Sequence, residues 1–418
     1  MNDPRFAHEI VQEGVKDGYW VMPIDVDGDG RPDLVTSGLA LGEVAWFRNP
    51  DWRRRVIGNF SRPISLDQAD IDGDGRTDLV VCHDYARTMF EATPQDGHVS
   101  WLRNAGERDE PWQVRPIGQL GSAHRLRLGH FTDPEELQLL VAPVVGPRSG
   151  MEAVHTPIRV VLYRRPDDVL GASSWPADVA DDESFRVIHA IALGQYGAPG
   201  AVGLGATLLA SEEGLTWFGV NPDGRWEAVL LGGGEPGQAG QTGYRGSGNH
   251  AVGRVGGDPY AYIAAVEPFH GNTLAVYTPE GDGDLAQRTW RRTVLETFGE
   301  PNEAGEGPAH HVVCADFDGD GDDEFLVALR GPMPHQGVFH YCPIDAGAAR
   351  FDRTRVSEPS AARIAVADFD GDGRLDFATT GYHVPGYFEC EDPQVVVHFN
   401  RFGDPIAGPS IPPGPLGG

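Results

Sequence analysis

The chain has 418 residues, 40% of them hydrophobic, which is enough apolar content for a sizeable core and too much for a disordered protein. A net charge of -29 would repel nucleic acid and anionic membranes, so neither is an expected partner. No apolar run approaches the roughly 18 residues of a membrane span, and MNDPRFAHEIVQEG has neither the basic nor the apolar region of a secretory leader, so a soluble, cytoplasmic protein is expected.

The 56 glycines and 33 prolines predict a turn-rich, mostly β chain. Cys82, Cys314, Cys342 and Cys390 show no CxxC spacing, which suits reduced thiols; a structural disulfide is the weaker reading.

In chain order, RFAHEIV (residues 5–11) reads as a strand without an obvious partner. DVDGDGRPD follows, with oxygen ligands Asp25, Asp27, Asp29 and Asp33, and then DIDGDGRTD, with Asp70, Asp72, Asp74 and Asp78. Two more copies come late: DFDGDGDDE, with Asp316, Asp318, Asp320 and Glu324, and DFDGDGRLD, with Asp368, Asp370, Asp372 and Asp376. Oxygen at positions 1, 3, 5 and 9, with glycine at 4 and 6 for a tight wrap, suits a hard cation, so Ca²⁺ or Mg²⁺ is the expected structural ion. These are not EF-hands, because position 12 is Thr36, Val81, Val327 or Thr379 where an EF-hand needs glutamate.

A short apolar strand precedes each loop and another follows. A third strand comes next, such as VAWFRNP, VSWLRNAG, LTWFGVNPDG or VVVHFN, and then a fourth, such as WRRRVIG or WQVRPIG. With this template three degenerate copies emerge at 124–143, 189–210 and 250–268, giving seven repeats at intervals of roughly 45 to 65 residues. Seven four-stranded units predict an all-β, seven-bladed β-propeller. The last repeat lacks a fourth strand, so the N-terminal strand is expected to complete blade seven and close the ring. The domain is expected to span residues 1–402, with 403–418 a Pro/Gly-rich tail. The Trp and Tyr residues of third strands, Trp46, Trp101, Trp217 and Tyr277, are expected to pack between blades, and GQAGQTGYRGSG (237–248) is expected to be a flexible connector.

PAHHVVCADFDGDGDDEFLVA (308–328) sets His310 six residues before Asp316, across a strand. At about 3.3 Å per residue the two ends lie roughly 20 Å apart, so the histidines and the acidic loop must serve different sites. His124, His189, His250 and His310 all stand six residues before the first loop ligand or its equivalent (His130, Gln195, Gly256, Asp316), where the innermost strand begins. The acidic loops then belong to the opposite face, and four imidazoles would converge on one channel mouth, joined by His270 in the PFHGN loop. A single such histidine is most simply a strand cap; recurrence at one template position favours a shared Zn²⁺ or other first-row metal site with a position open to substrate.

There is no GxxxxGK[ST], GxSxG or HExxH motif. SAHRLRLGHFT, NHAVGRVGGDPYAYIAAVEPFHGNTLAVYTPEG, AHHVVCADFDGDGDDEFLVALRG and VPGYFECEDP, with the early KDGYW (16–20) and VSWLRNAGE (99–107), resemble the propeller domain of the aldos-2-ulose dehydratase (1,5-anhydro-D-fructose dehydratase) family. The resemblance spans nearly the whole chain, and HRLxxGHFT and FHGNT are far more specific than the acidic loops. It implies a zinc-dependent lyase acting on 2-keto sugars, with His124, His189, His270 and His310 at family positions and His250 outside them. Fungal members continue into cupin domains associated with a later isomerisation, a step not expected of a chain ending at Gly418.

On this resemblance a small-molecule sugar such as 1,5-anhydro-D-fructose is the expected substrate, losing water to give an enone of the ascopyrone M type. His189, His270 and His310 are the favoured zinc ligands and His124 the favoured base, although the residues alone leave open which of the four is unligated. Asp84, Tyr85 and Tyr382 are candidates for the acid that assists the leaving hydroxyl. Two rivals remain at this stage: a non-catalytic carbohydrate-binding propeller, and a related lyase eliminating from a keto-glycoside. Nothing in the sequence sets an oligomeric state.

Overall fold

The structure, a computed structural model, describes residues 5–15, 18–106, 111–147, 150, 153–194, 196 and 203–403. Gln195 and the tail from residue 404 lie outside the described residues. Seven four-stranded antiparallel sheets follow one another along the chain, and each pairs its strands in sequence order except the last. There, Phe6–Glu13 pairs antiparallel with Gln394–Asn400 and completes the sheet formed with Asp376–Thr380 and Arg363–Ala367. The expected seven-bladed propeller, closed by its N-terminal strand, is the observed fold.

The innermost strands are Gly18–Ile24, Ser65–Ala69, Ala123–Gly129, Ala190–Gly194, Asn249–Val255, Ala309–Ala315 and Arg363–Ala367. Each packs beside the innermost strands of both neighbours, which makes the ring around a central channel. Second strands such as Gln138–Pro143 and Glu324–Leu329 are buried throughout, because both faces pack against adjacent blades. Fourth strands such as Arg53–Asn59 expose their first residues to solvent.

Trp46, Trp101, Trp217 and Tyr277 are all buried, as an interblade role requires, and several have anchored polar ends. Trp46 Nε1 donates to Asp33 Oδ2 at 2.9 Å, and Trp217 Nε1 donates to Tyr196 O at 2.8 Å. The expected flexible connector differs: Glu235–Ala239 and Tyr244–Gly246 form a two-stranded hairpin with Tyr244 buried. The burial of that aromatic ring gives this polar, glycine-rich stretch a reason to hold one conformation. All four cysteines are free thiols.

Each acidic loop is bound into its neighbour. The loop's second residue, Val26, Ile71, Phe317 or Phe369, is apolar and buried. Asn104 of blade two donates to Val26 O at 3.1 Å, Asn49 of blade one to Phe369 O at 2.7 Å, and Asn400 of blade seven to Phe317 O at 2.6 Å. The loop-closing carboxylates complete these clips. Asp33, Asp78 and Asp376 accept the backbone N–H of Asn49, Asn104 and Asn400, each at 2.7 Å.

Candidate active site

The histidines reach one place because of a recurrent irregularity in the innermost strands. In blades one, three and six, pairing with the second strand skips a residue: Gly18 to Trp20, Ala123 to Arg125, and Ala309 to His311. The skipped residues are Tyr19, His124 and His310. A β-bulge re-aims a side chain, and here it turns each toward the channel mouth. Blade four does the same just ahead of its strand: His189 N donates to Ala210 O at 3.0 Å while Ala190 already pairs with Ala210.

In blade five the equivalent residue is Gly248, whose N–H donates to Val266 O while Asn249 pairs with Val266. His250 is therefore two residues further along, paired directly with Ala265, and contributes nothing to the cluster. The expectation that it shares the template position fails because Val255 pairs with Asp258 across a Gly256–Gly257 turn that replaces the longer acidic loop, so the strand runs on and counting six residues back from the turn falls two short of Gly248. Gly248 itself cannot carry a side chain: a Cβ there would lie 1.4 Å from Phe269 O. The Phe269 backbone fills that space, and the next residue, His270, joins the cluster from this loop.

His189, His270 and His310 are buried, 1%, 8% and 2% exposed, and each offers a nitrogen within 4.8 Å of the others. His189 Nδ1 donates to Gly248 O at 2.9 Å and His310 Nδ1 donates to Ala362 O at 2.5 Å, both acceptors being bulge-position residues of the next blade. His270 Nδ1 stands 3.1 Å from Glu306 Oε2 and 3.1 Å from the Tyr387 hydroxyl. With the Nδ1 protons so engaged, Nε2 carries the lone pair of each ring, and that of His189 also faces Arg125 Nη2 at 2.9 Å. His270 Nε2 and His189 Nε2 lie 2.8 Å apart, and His310 Nε2 is buried with no hydrogen-bond partner. Facing lone pairs and an orphaned acceptor are unfavourable by themselves and fit a shared cation. Burial, then neighbouring cationic groups, holds all three rings well below the usual imidazole range.

His124, 5% exposed, stands beside them rather than among them. Its Nε2 is 3.2 Å from the Tyr19 hydroxyl, which in turn accepts from Arg125 Nη2 at 3.1 Å. Arg125 also donates through Nε to His189 O at 2.5 Å and places Nη2 2.9 Å from His189 Nε2. Burial, then Arg125, keeps His124 neutral.

The cluster meets a cavity of about 910 Å³ through His270, which lines it with Tyr19, His124, Glu306, Tyr382 and Tyr387, while His189 and His310 lie behind that wall. Most of the remaining wall is apolar, including Leu39, Leu41, Phe60, Met89, Phe90 and Val384, with Ser61, Arg62, Arg87 and Thr88 adding polar groups. Tyr85 lines the cavity with its ring 5.7 Å from that of His124, and Tyr382 lies 6.4 Å from His310. Asp84 does not line it: a left-handed backbone (φ 57) turns its carboxylate to His98 Nε2, 3.3 Å away.

The residues that sequence reasoning missed are Tyr19, Arg125, Glu306, Arg330 and Tyr387. Tyr19 carried a signal, since it precedes Asp25 by the same six residues that separate His310 from Asp316. Glu306 carried none. Burial raises its carboxyl to about 7 against the pull of Arg330, a buried guanidinium 3.7 Å from the Phe388 ring centroid.

The acidic loops sit at the far ends of the innermost strands, as expected. Asp25/Asp27/Asp29, Asp70/Asp72/Asp78, Asp316/Asp318/Asp320 and Asp368/Asp370/Asp376 each converge, and Asp72 Oδ1 is buried with no hydrogen-bond partner. Four other expected ligands are engaged elsewhere: Asp33 with Asn49, Glu324 with Phe317, Asp74 with Arg76 and Asp372 with Arg374.

The family described as aldos-2-ulose dehydratase, beta-propeller domain, matches residues 96–280, and an FG-GAP-like repeat matches 25–81. The aldos-2-ulose dehydratase of Phanerodontia chrysosporium is 36% identical over 420 residues, covering 94% of this chain and 46% of that protein. The chain thus spans about half the length of the curated relative it matches. Among solved structures, BBS1N in complex with ARL6DN aligns at TM-score 0.54 and 10% identity, covering 95% of this chain and 96% of that one. Virginiamycin B lyase from Staphylococcus aureus aligns at TM-score 0.52 and 10% identity over 95% and 99% of the two chains. Those two likenesses concern the fold alone, whereas the sequence relationship and the matched domain make this chain a member of the aldos-2-ulose dehydratase β-propeller family, built on FG-GAP-like repeats.

Proposed function

We propose that the propeller is a metal-dependent dehydratase that eliminates water from a 2-keto sugar such as 1,5-anhydro-D-fructose. The observation that carries this reading is the buried triad of His189, His270 and His310, whose Nε2 atoms converge beside an open cavity that His270 lines, while their Nδ1 atoms are held by backbone and Glu306. These three would hold Zn²⁺. When bound, it would supply Lewis-acid stabilisation of negative charge developing on a carbonyl oxygen.

The remaining residues have roles set by position. His124, neutral and at the cavity surface, accepts the proton from C3, the carbon α to the C2 carbonyl. Tyr19 and Arg125 fix its Nε2 orientation. The C4 hydroxyl then leaves as water, protonated from the opposite wall, and the product is an enone. Tyr382 is favoured over Tyr85 as that acid: burial raises both phenols, and Arg330, 5.3 Å from the Tyr382 ring, offsets part of that rise by favouring the phenolate left behind. Asp84 is not assigned the role. The acidic loops hold Ca²⁺ or Mg²⁺ and act on rigidity.

The test is to mix the purified protein with 1,5-anhydro-D-fructose, with and without prior zinc-selective chelation, and follow enone absorbance. Chelator-sensitive absorbance growth is expected, restored by added zinc. No absorbance change from zinc-replete protein excludes this substrate.

A further inference from the structure

Further along the innermost strands from the histidine cluster lies a second cluster. Arg125, Arg127 and Arg363 converge on one indole, with their Cζ atoms 5.7, 5.6 and 3.5 Å from the Trp20 ring centroid. Arg125 is consumed upward by Tyr19, His124 and His189. Arg127 and Arg363 instead line a separate cavity of about 370 Å³ with Trp20, Asp67 and His311.

The two guanidiniums in this cavity face one carboxylate, which attracts Arg127 and leaves Arg363 without a counter-ion among the lining residues. Asp67 is the one carboxylate among its lining residues, and its oxygens already accept Leu128 N at 2.8 Å and Gln68 N at 3.0 Å. Burial favours its neutral form. Arg363 is 4% exposed, and its Nη1 is buried with no hydrogen-bond partner. The indole face offsets part of the cation's cost but accepts none of its N–H groups in their plane. His311 adds a donor: its Nδ1 accepts Ile364 N at 3.2 Å, so the ring proton is on Nε2. A buried guanidinium with an unused donor, a second guanidinium beside it and an imidazole N–H form the chemistry of an anion cradle.

We propose that the central channel binds a small inorganic anion, a halide or tetrahedral oxyanion, between Arg127 and Arg363. The cavity is large enough for a tetrahedral oxyanion with several waters, each taking roughly 30 Å³. Because the whole molecule carries -29, affinity comes from these local donors rather than from the general field.

The experiment is thermal unfolding of the full chain in sodium gluconate at fixed ionic strength, titrating sodium chloride or sodium sulfate into the wild type and the Arg363→Met and Arg127→Met variants. A saturable rise of about 2 °C at ten times the dissociation constant is expected for wild type and not for the variants. Response to chloride alone identifies a halide site, and response to sulfate alone an oxyanion site. Should the variants not fold, wild-type crystals soaked in bromide or selenate decide: an anomalous peak between Arg127 and Arg363 supports the site. Equal salt responses in folded variants and wild type, or crystals that show no such peak when soaked in bromide and none when soaked in selenate, overturn the proposal.

Discussion

At the scale of single residues, what the sequence made legible was position, and what it hid was partnership. His124, His189 and His310 were found by counting back from the acidic loops, which works wherever the loop has its full length. His250 was miscounted because blade five replaces that loop with a Gly256–Gly257 turn. Glu306 was invisible for a different reason: it meets His270 only because the Pro268–Asn272 loop folds over Gly248 onto the blade-six connection. Carboxylates that hold the distal nitrogen of a metal-bound imidazole set its orientation and basicity, and their loss typically weakens metal affinity about 10- to 100-fold. If the proposed zinc site is right, Glu306→Gln is expected to fold normally and to lose zinc at about 10- to 100-fold lower chelator concentration than wild type. Titration with a chromophoric chelator reads this without any activity assay. Unchanged zinc retention would remove Glu306 from the metal's support.

At the scale of elements, the acidic repeat was legible in full and its partner was not. The pattern DxDGDG announces a cation loop, but the loop also serves as a mechanical joint between blades, through the asparagine that ends the neighbouring third strand. That asparagine stood in the quoted strands VAWFRNP, VSWLRNAG and VVVHFN without an assigned purpose, because its acceptor lies on another repeat. Asn104 Nδ2 donates to Val26 O at 3.1 Å and to Thr77 O at 3.3 Å, one bond to blade one and one within its own blade. Asn104→Ala is expected to lower stability by about 1 to 3 kcal/mol, since it leaves buried carbonyls unpaired. Asn49 and Asn400 serve different joints, so combining substitutions should give roughly additive losses in denaturant midpoint. A double variant no less stable than either single one would show that the joints do not act independently.

At the scale of the whole molecule, ring closure and the histidine cluster are one problem. The sequence implied closure by an absence, the missing fourth strand of blade seven, and the structure fills it with Phe6–Glu13. Phe6 packs edge-on against Phe377 at 4.8 Å and Phe317 at 6.1 Å, joining the closing strand to blade six as well as blade seven. Blade seven in turn supplies Ala362 O, which holds His310 Nδ1, and Tyr382 and Tyr387 at the cavity wall. Removing residues 1–13 would leave Gln394–Asn400 as an open edge, and an open apolar edge pairs with other chains. The truncated chain is expected to unfold at a lower temperature, to self-associate in light scattering, and to bind zinc more weakly than the intact protein because blade seven no longer fixes His310. A synthetic peptide of residues 5–13 added in trans should reverse all three changes together. If the truncated protein stays monomeric with its melting temperature and zinc affinity intact, blade seven is held by its neighbours alone and the closing strand has no part in shaping the site.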